Sequence, residues 1–498
     1  MSTIERREFM KRAVMAGAGS LVLKDATARA WDGAGKTEKQ PVGPAGGTKK
    51  KVIVGGGGIS GLCCAYELMK AGHEVVVLEA SGRFGGSVLT VHDGLADGLY
   101  ADFGAENFTK PGYKNYWKYV DEFKLTALPY LHRKDRLTRI DGKWYTEEQQ
   151  AEALLVKAKE LGGFSQREMK YLSSTPPSHI ESKLQSLYLQ PYFEKFKDEY
   201  QPFGVGLDPL EKIPIQDIYK KEGASAAALS LLGDNDSSAL YAIWQAYIMR
   251  KREYDLDYEL YRLKGGNQVM TNEFGKRLGG RVKLDCQIQE IEHGASGVTI
   301  KYREFGEEKT ISGDYFASCL RPTALRNIPF KPELPPEKRF VFDNIAFEKT
   351  TRIVFQARSA FWRNDGAGIN LTFNHPSLRT IWQVADEVET DRVSLMAKAP
   401  GGTNPMRTLE AFKELYPGNK SSITIEQTLV KDWSTGPFTA GCERVGYSAL
   451  GSLSQFWPHV ITPHGRIHFA GGHADNRSWG MEAATNSANR VAQEINNA

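Results

Sequence analysis

From Lys51 onward the chain alternates between unbroken apolar runs and glycine-rich breaks. The stretch "KVIVGGGGISGLCCAYELMKAGHEVVVLEAS" opens with the apolar run Val52 to Val54, breaks into glycines, and takes on helical character over residues 59–71. It then returns as a second apolar run, "HEVVVLE", ending in Glu79. Short continuous runs rich in β-branched residues predict strands buried on both faces. Gly72 stands where such a helix would end. The unit predicted is strand–loop–helix–strand, the opening of a parallel α/β sheet. Far along the chain, "RIHFAGGHADNRSWGMEAATNSANR" (Arg466 to Arg490) again reads as buried strand, glycine loop and helix. Between these ends, residues 147–250 are largely helical in character, with "EEQQAEALLVKAKELGG" placing apolar residues at helical spacing. "TTRIVFQARSAFW" and "RTIWQVADEV" predict strands.

The first glycine break carries candidate chemistry. Gly56, Gly58 and Gly61 form GxGxxG between strand and helix. Gly56 permits the tight turn, Gly58 lets backbone approach a pyrophosphate, and Gly61 lets helix and strand pack closely. Ile59 and Ser60 then open a helix whose free N–H groups face the phosphates. Glu79 falls about twenty residues on, where a carboxylate holds ribose hydroxyls. A dinucleotide site is expected; these residues alone leave FAD and NAD open.

Composition adds limits. The 498 residues, 41% hydrophobic and 25% charged, suit a globular chain of two or three domains. The formal charge of +4 is local. Residues 1–30 carry six Lys/Arg against three acids and residues 31–50 four Lys against two, leaving −1 for the remainder. No nucleic-acid partner is therefore expected. The charged front, "RREFMK", is followed by a mildly apolar run from Ala13 to Leu23 and by "ARA" at Ala28 to Ala30. It resembles a twin-arginine export signal over residues 1–30, with 31–50 as a flexible linker. The alternative is an amphipathic cytosolic arm. The apolar run is too short to span a bilayer, which needs roughly 20 residues. Five scattered cysteines (Cys63, Cys64, Cys286, Cys319, Cys442) form no disulfide framework. His459, His464, His468 and His473 fit no metal-ligand spacing, so no metal is expected.

Beyond Glu79, "EASGRFGGSVLT" is similar to the E-A-x-x-R-x-G-G-R segment of the flavin amine oxidase family, which includes monoamine oxidases, polyamine oxidases and L-amino acid oxidases. Ala80, Arg83, Gly85 and Gly86 match; Ser87 stands where the family has its final arginine. "YADFGAEN", with Gly104, Ala105, Glu106 and Asn107, resembles the family's next flavin-contacting turn. Ile288 takes the place of a valine at the adenine end. "HFAGG" matches F-A-G-E through Gly471, with Gly472 replacing the glutamate, and Trp479, Gly480, Met481 and Glu482 open the matching terminal helix. The resemblance implies FAD and an α/β fold with two parts. Residues 51–105, 261–322 and 431–498 would build a Rossmann-like FAD-binding domain; 106–260 and 323–430 would build an α+β substrate-binding domain. The terminal helix would face the flavin N1–C2=O edge, where its partial positive charge stabilises a reduced anion.

The resemblance also implies hydride transfer from a substrate C–H beside nitrogen to flavin N5, giving an imine, with O2 reoxidising the flavin to yield H2O2. The helper residues depart from the family. A lysine near N5 becomes Arg352, either a group that stabilises reduced flavin or a solvated strand residue. The aromatic pair flanking the amine is replaced at its two positions by Glu443 and Gly480, with Trp479 one residue early. Glu443 reads as a partner or base for a cationic substrate, or as a solvent-facing acid. The carboxylate-binding arginine of L-amino acid oxidases is Asn107 here; Arg262, Arg321 and Arg358 are the other candidates for that role. Cys442 aligns with the cysteine that monoamine oxidases link to flavin, against the commoner reading of a small buried residue. The expected function is an exported FAD-dependent amine or amino acid oxidase. It would act on a small molecule with O2 or a periplasmic acceptor, without a membrane span and with a homodimer left open. The alternatives are a dehydrogenase or desaturase of a non-amine substrate and a low-turnover flavin-binding assembly component.

Overall fold

Lys51–Gly55 forms β1, with its last four residues buried, and α1 (Ile59–Lys70) follows across the glycine loop. Gly72, at φ +88, turns the chain into β2 (Glu74–Leu78). The sheet is completed by β3 (Val282–Lys283), β4 (Tyr315–Ser318) and β5 (Ile467–Phe469), in the order β3-β2-β1-β4-β5. Every pairing in it is parallel. A parallel sheet must be covered on both faces, which explains the unbroken apolar strands. The final helix, α2 (Gly480–Asn497), packs on α1. Small residues on both sides, Cys63, Cys64 and Ala65 against Ala484, Ala488 and Val491, share one core with the strands and permit close approach. The chain's two ends thus close one sheet.

The computed structural model describes residues 48–498 apart from 131, 132, 134, 176–178, 234, 253–257, 437, 442, 443, 477 and 478. The expected leader, nearly all of the linker, and the candidates Cys442 and Glu443 lie outside the described residues. Among those described, no helix is long and apolar enough to cross a membrane.

A second sheet of seven strands runs in the order Ile425–Asp432, Thr350–Ala357, Val393–Pro400, Leu378–Val384, Leu371–His375, Leu137–Ile140, Lys143–Tyr145. All eight residues of Thr350–Ala357 are buried. Alternation divides them between two layers. Ile353, Phe355 and Ala357 enter a core with Leu409 and Phe412 of the helix Pro405–Leu415. Val354, on the opposite face, packs with Ala101, Phe103, Tyr130 and Trp382. That face looks toward the segment leading into Gly104–Asn107. Among the described residues, the predicted helical stretch forms six α-helices from Glu147 to Lys251. Capping boxes at Thr146/Gln149 and Ser165/Glu168 open two of them.

Candidate active site

The glycine loop is built by the absence of side chains. A Cβ on Gly61 would lie 1.9 Å from the Gly56 carbonyl oxygen, so any residue but glycine displaces the loop. Gly56 sits at φ +96, a conformation that favours glycine. Gly58 and Gly86 approach closely: a Cβ on Gly86 would lie 3.0 Å from the Gly58 Cα, and one on Gly58 would lie 3.8 Å from the Gly86 Cα. The α1 N-terminus has no side-chain cap and no acid in its first turn. Ile59 is buried beneath it, and the buried Ser60 hydroxyl has no partner among the described residues. Uncapped amides, an orphan hydroxyl and a glycine surface suit a phosphate. Glu79 follows β2, its Oε2 accepting from the Gly57 amide at 2.6 Å and its Oε1 from Ser81 N and Oγ. Ala80 lies between them. Arg83 donates to the carbonyls of Phe84 and Gly86, holding the loop. Ile288 is buried against β1, its Cδ1 3.1 Å from where a Gly55 Cβ would stand. These residues fit the adenosine diphosphate half of FAD.

At the next turn, a Cβ on Gly104 would lie 1.7 Å from the Ser87 carbonyl, and Ala105 N donates to that same oxygen at 3.1 Å. Ser87 lacks the guanidinium that the resemblance expects, but a guanidinium is present. Arg321, just beyond β4, donates through Nη2 to Ser87 Oγ and through Nη1 to the Gly441 carbonyl.

The terminal loop turns at Gly471, φ +136, whose N–H donates to Ser487 Oγ at 2.9 Å. Gly472–Ala474 forms one short helical turn. His473 is buried, and burial, with Arg321, Arg444 and Arg490 around it, pushes its imidazole down to about 3. It is therefore neutral. Trp479, 44% exposed, precedes α2 without a side-chain cap; Gly480 is at φ +58 and Met481 is buried. The Glu482 carboxylate, in the first turn of α2, has partners within the chain. It accepts the Asn115 and Tyr116 amides at 3.0 and 2.8 Å, capping the helix Lys114–Glu122. Burial pushes its pKa up to about 7.

Arg352 is no solvated strand residue: it is 8% exposed, on the face shared with Val354. Its Nη1 lies 3.8 Å from Glu106 Oε2, and Asn107 Nδ2 donates to Glu106 Oε1 at 3.4 Å. The other arginine candidates are committed elsewhere. Arg262 pairs with Asp386 and Glu387, and Arg358, 70% exposed, pairs with Glu426. The sequence reading missed Arg133, whose Nη2 holds Glu106 Oε1 at 3.0 Å, and Trp382, whose ring centroid lies 4.0 Å from the Arg133 guanidinium and 5.3 Å from that of Arg352. Neither sits in a motif; only the sheet register brings them to Arg352. Among the described residues no His/Cys/Asp/Glu group is arranged to hold a metal.

The chain matches the family model described as flavin containing amine oxidoreductase over residues 59–496. It is 24% identical over 471 residues to an L-amino-acid oxidase from Demansia vestigiata, covering 90% of this chain and 87% of that one. It is 25% identical over 478 residues to the L-amino-acid oxidase of Vipera ammodytes ammodytes, covering 90% and 93%. Among solved structures, cyclohexylamine oxidase from Brevibacterium oxydans IH-35A superposes with TM-score 0.66 at 19% identity, covering 90% of this chain and all of that one. Putrescine oxidase bound to putrescine superposes with TM-score 0.65 at 18% identity, covering 90% and 99%.

Proposed function

The chain belongs to the flavin-containing amine oxidoreductase family as an FAD-dependent oxidoreductase, and from that premise we propose that it oxidises an amine or amino acid at the carbon bearing nitrogen. The substrate loses two electrons and two protons to become an imine, which water converts to a carbonyl compound and ammonia. FAD supplies the two-electron acceptor, and O2, reduced to H2O2, takes the electrons onward. In this reading, residues 51–105, 261–322 and 431–498 bind FAD, and 106–260 with 323–430 bind the substrate.

The chain's own part is binding, orientation and charge. Gly56, Gly58, Ser60 and the α1 N-terminus hold the phosphates, and Glu79 holds the ribose. Arg321 and the uncapped α2 N-terminus, beside a neutral His473, set positive potential, against the Glu482 carboxylate in the first turn of that helix. Arg352 brings a buried positive charge to the opposite side, and Trp479 supplies an aromatic wall at the head of α2. The observation that carries the reading is the phosphate cradle at Gly58, Ser60 and Gly86 in a chain that matches the family almost throughout. Export through residues 1–30 belongs to the proposal and is tested by the N-terminal mass of protein recovered outside the cytoplasm.

The experiment is aerobic turnover of the flavin-loaded protein on monoamines, polyamines and amino acids, following oxygen, peroxide and ammonia. One class is expected to consume oxygen with equimolar peroxide. Oxidation without oxygen uptake would move the electron acceptor elsewhere. No turnover of any amine would defeat the reading.

A further inference from the structure

We propose that Cys64 and Cys319 are a redox pair, which hydrogen peroxide oxidises to a disulfide joining α1 to the end of β4 beside the glycine loop. The amine-oxidation reading above supplies peroxide during turnover, but the pair itself needs only that peroxide be present.

The two cysteines are distant in sequence and adjacent in the fold. Cys319 directly follows β4, and its N–H donates to the Gly55 carbonyl at 2.9 Å, continuing the pairing with β1. Its Cβ lies 3.4 Å from where a Gly61 Cβ would stand, so α1 reaches it with no side chain between. Cys64 lies three residues beyond Gly61 in α1. Residues three apart share a helix face, and helical Cβ atoms lean toward the N-terminus. That lean carries the Cys64 sulfur back over the bare Gly61, toward Cys319. There the two thiols are hydrogen-bonded to each other. Both side chains pack in the one core that joins α1, the sheet and α2.

The pair divides the work. Cys64 is fully buried, and its hydrogen bond to Cys319, with burial, keeps its thiol protonated. Cys319 is partly exposed, so it is the sulfur that peroxide meets. A reachable thiol poised against a second one is the arrangement of a redox-sensing cysteine and its resolving partner. Cys63 is turned elsewhere, its Sγ donating to Tyr119 Oη at 3.2 Å, and Cys286 lies against Glu304 at 3.6 Å. In the first step the Cys319 sulfur attacks peroxide: the O–O bond breaks, an S–O bond forms, and the thiol proton leaves in water. In the second the Cys64 sulfur attacks that sulfenic acid: the S–S bond forms, the S–O bond breaks, and the Cys64 proton leaves with the hydroxyl as a second water. Each thiol gives up one electron, and peroxide takes both.

The test treats the flavin-loaded protein with hydrogen peroxide, denatures it in N-ethylmaleimide, digests it without reductant and maps the peptides by mass. The expected product joins the peptides of Cys64 and Cys319, lighter by two hydrogens than their sum, with alkylation lost at both positions and restored by dithiothreitol. C64A removes the resolving thiol, so dimedone added with the peroxide should label Cys319. No label there would overturn Cys319 as the sulfur first oxidised. Wild type alone decides the pair if that variant folds poorly. Cys319 carried to sulfinic acid while Cys64 stays a thiol would overturn the proposal. So would a bond from either cysteine to Cys63 or Cys442, or two thiols left intact. Peroxide made by amine turnover should give the same cross-link, and catalase should suppress it. If no amine turns over, the amine reading fails by itself and added peroxide still decides the pair.

Discussion

The nucleotide end and the sheet face around Arg352 are built by opposite means. At Gly56–Gly61 recognition is made of backbone: positive φ, missing Cβ atoms and uncapped amides, all within one short run of sequence. Around Arg352 it is made of long side chains from residues 106, 133, 352, 382, 398 and 431, brought together by sheet register. The first region carries no charged side chain and leaves no room for an added Cβ at Gly57 or Gly61. The second gathers long charged side chains that share the Glu106 carboxylate. Backbone sites are specified locally and fail sterically; side-chain sites are specified by the fold and fail electrostatically.

The largest effect expected is steric. Gly61→Ala puts a methyl 1.9 Å from the Gly56 oxygen and should abolish flavin binding, read as the flavin-to-protein absorbance ratio. Gly280→Ala, where an added Cβ meets nothing within 4 Å, should stay within about 0.5 kcal/mol in thermal melting. Equal effects from the two would erase the backbone half of the contrast.

Next comes the neutral histidine of the terminal loop. Its folded pKa of about 3 lies below the ordinary 6.5, so the unfolded chain binds the extra proton. Stability from this group is complete above pH 6.5 and is lost as pH falls toward 3. Wild type should lose on the order of 4 kcal/mol more than His473→Gln over that interval, measured by denaturant melts. Parallel losses would mean that the imidazole is not enclosed by Arg321, Arg444 and Arg490.

Glu106→Gln sharpens the electrostatic half. Removing the carboxylate that Arg133 and Arg352 share should cost about 3 kcal/mol of stability, measured by denaturant melts. No loss would contradict the shared-carboxylate arrangement. The smallest effect expected is at Ser87. Arg321→Ser should weaken FAD binding by about tenfold, the loss of one charge-assisted bond, and the double exchange with Ser87→Arg should restore it. No restoration would mean that the two positions are not interchangeable sources of the same cation.

Legibility followed the same division. The strand–loop–helix–strand unit could be read directly, because glycine spacing and apolar runs encode backbone geometry. So could the return of the terminal segment to the same sheet, through its likeness to a known family. Arg352 could be located but not its burial, since a strand position has two faces and the sequence does not say which is covered. Lys398 and Lys431 drew no notice, because only register makes them Arg352's neighbours. Ser87 announced a missing arginine; the replacement at 321 was not visible, although an arginine directly after a buried strand was a usable signal. The resemblance marked Glu482 as part of the terminal helix that opens at the flavin; that its carboxylate also caps a helix far away in sequence could not be read there.

The account's central claim is tested most directly by anaerobic mixing of the flavin-loaded protein with a saturating amino acid or amine, followed by absorbance and then by admitting air. The account predicts that at least one amine or amino acid bleaches the oxidised flavin bands and that air restores the spectrum as peroxide appears. A flavin that stays oxidised with every amine, yet bleaches with a non-amine substrate, would contradict it.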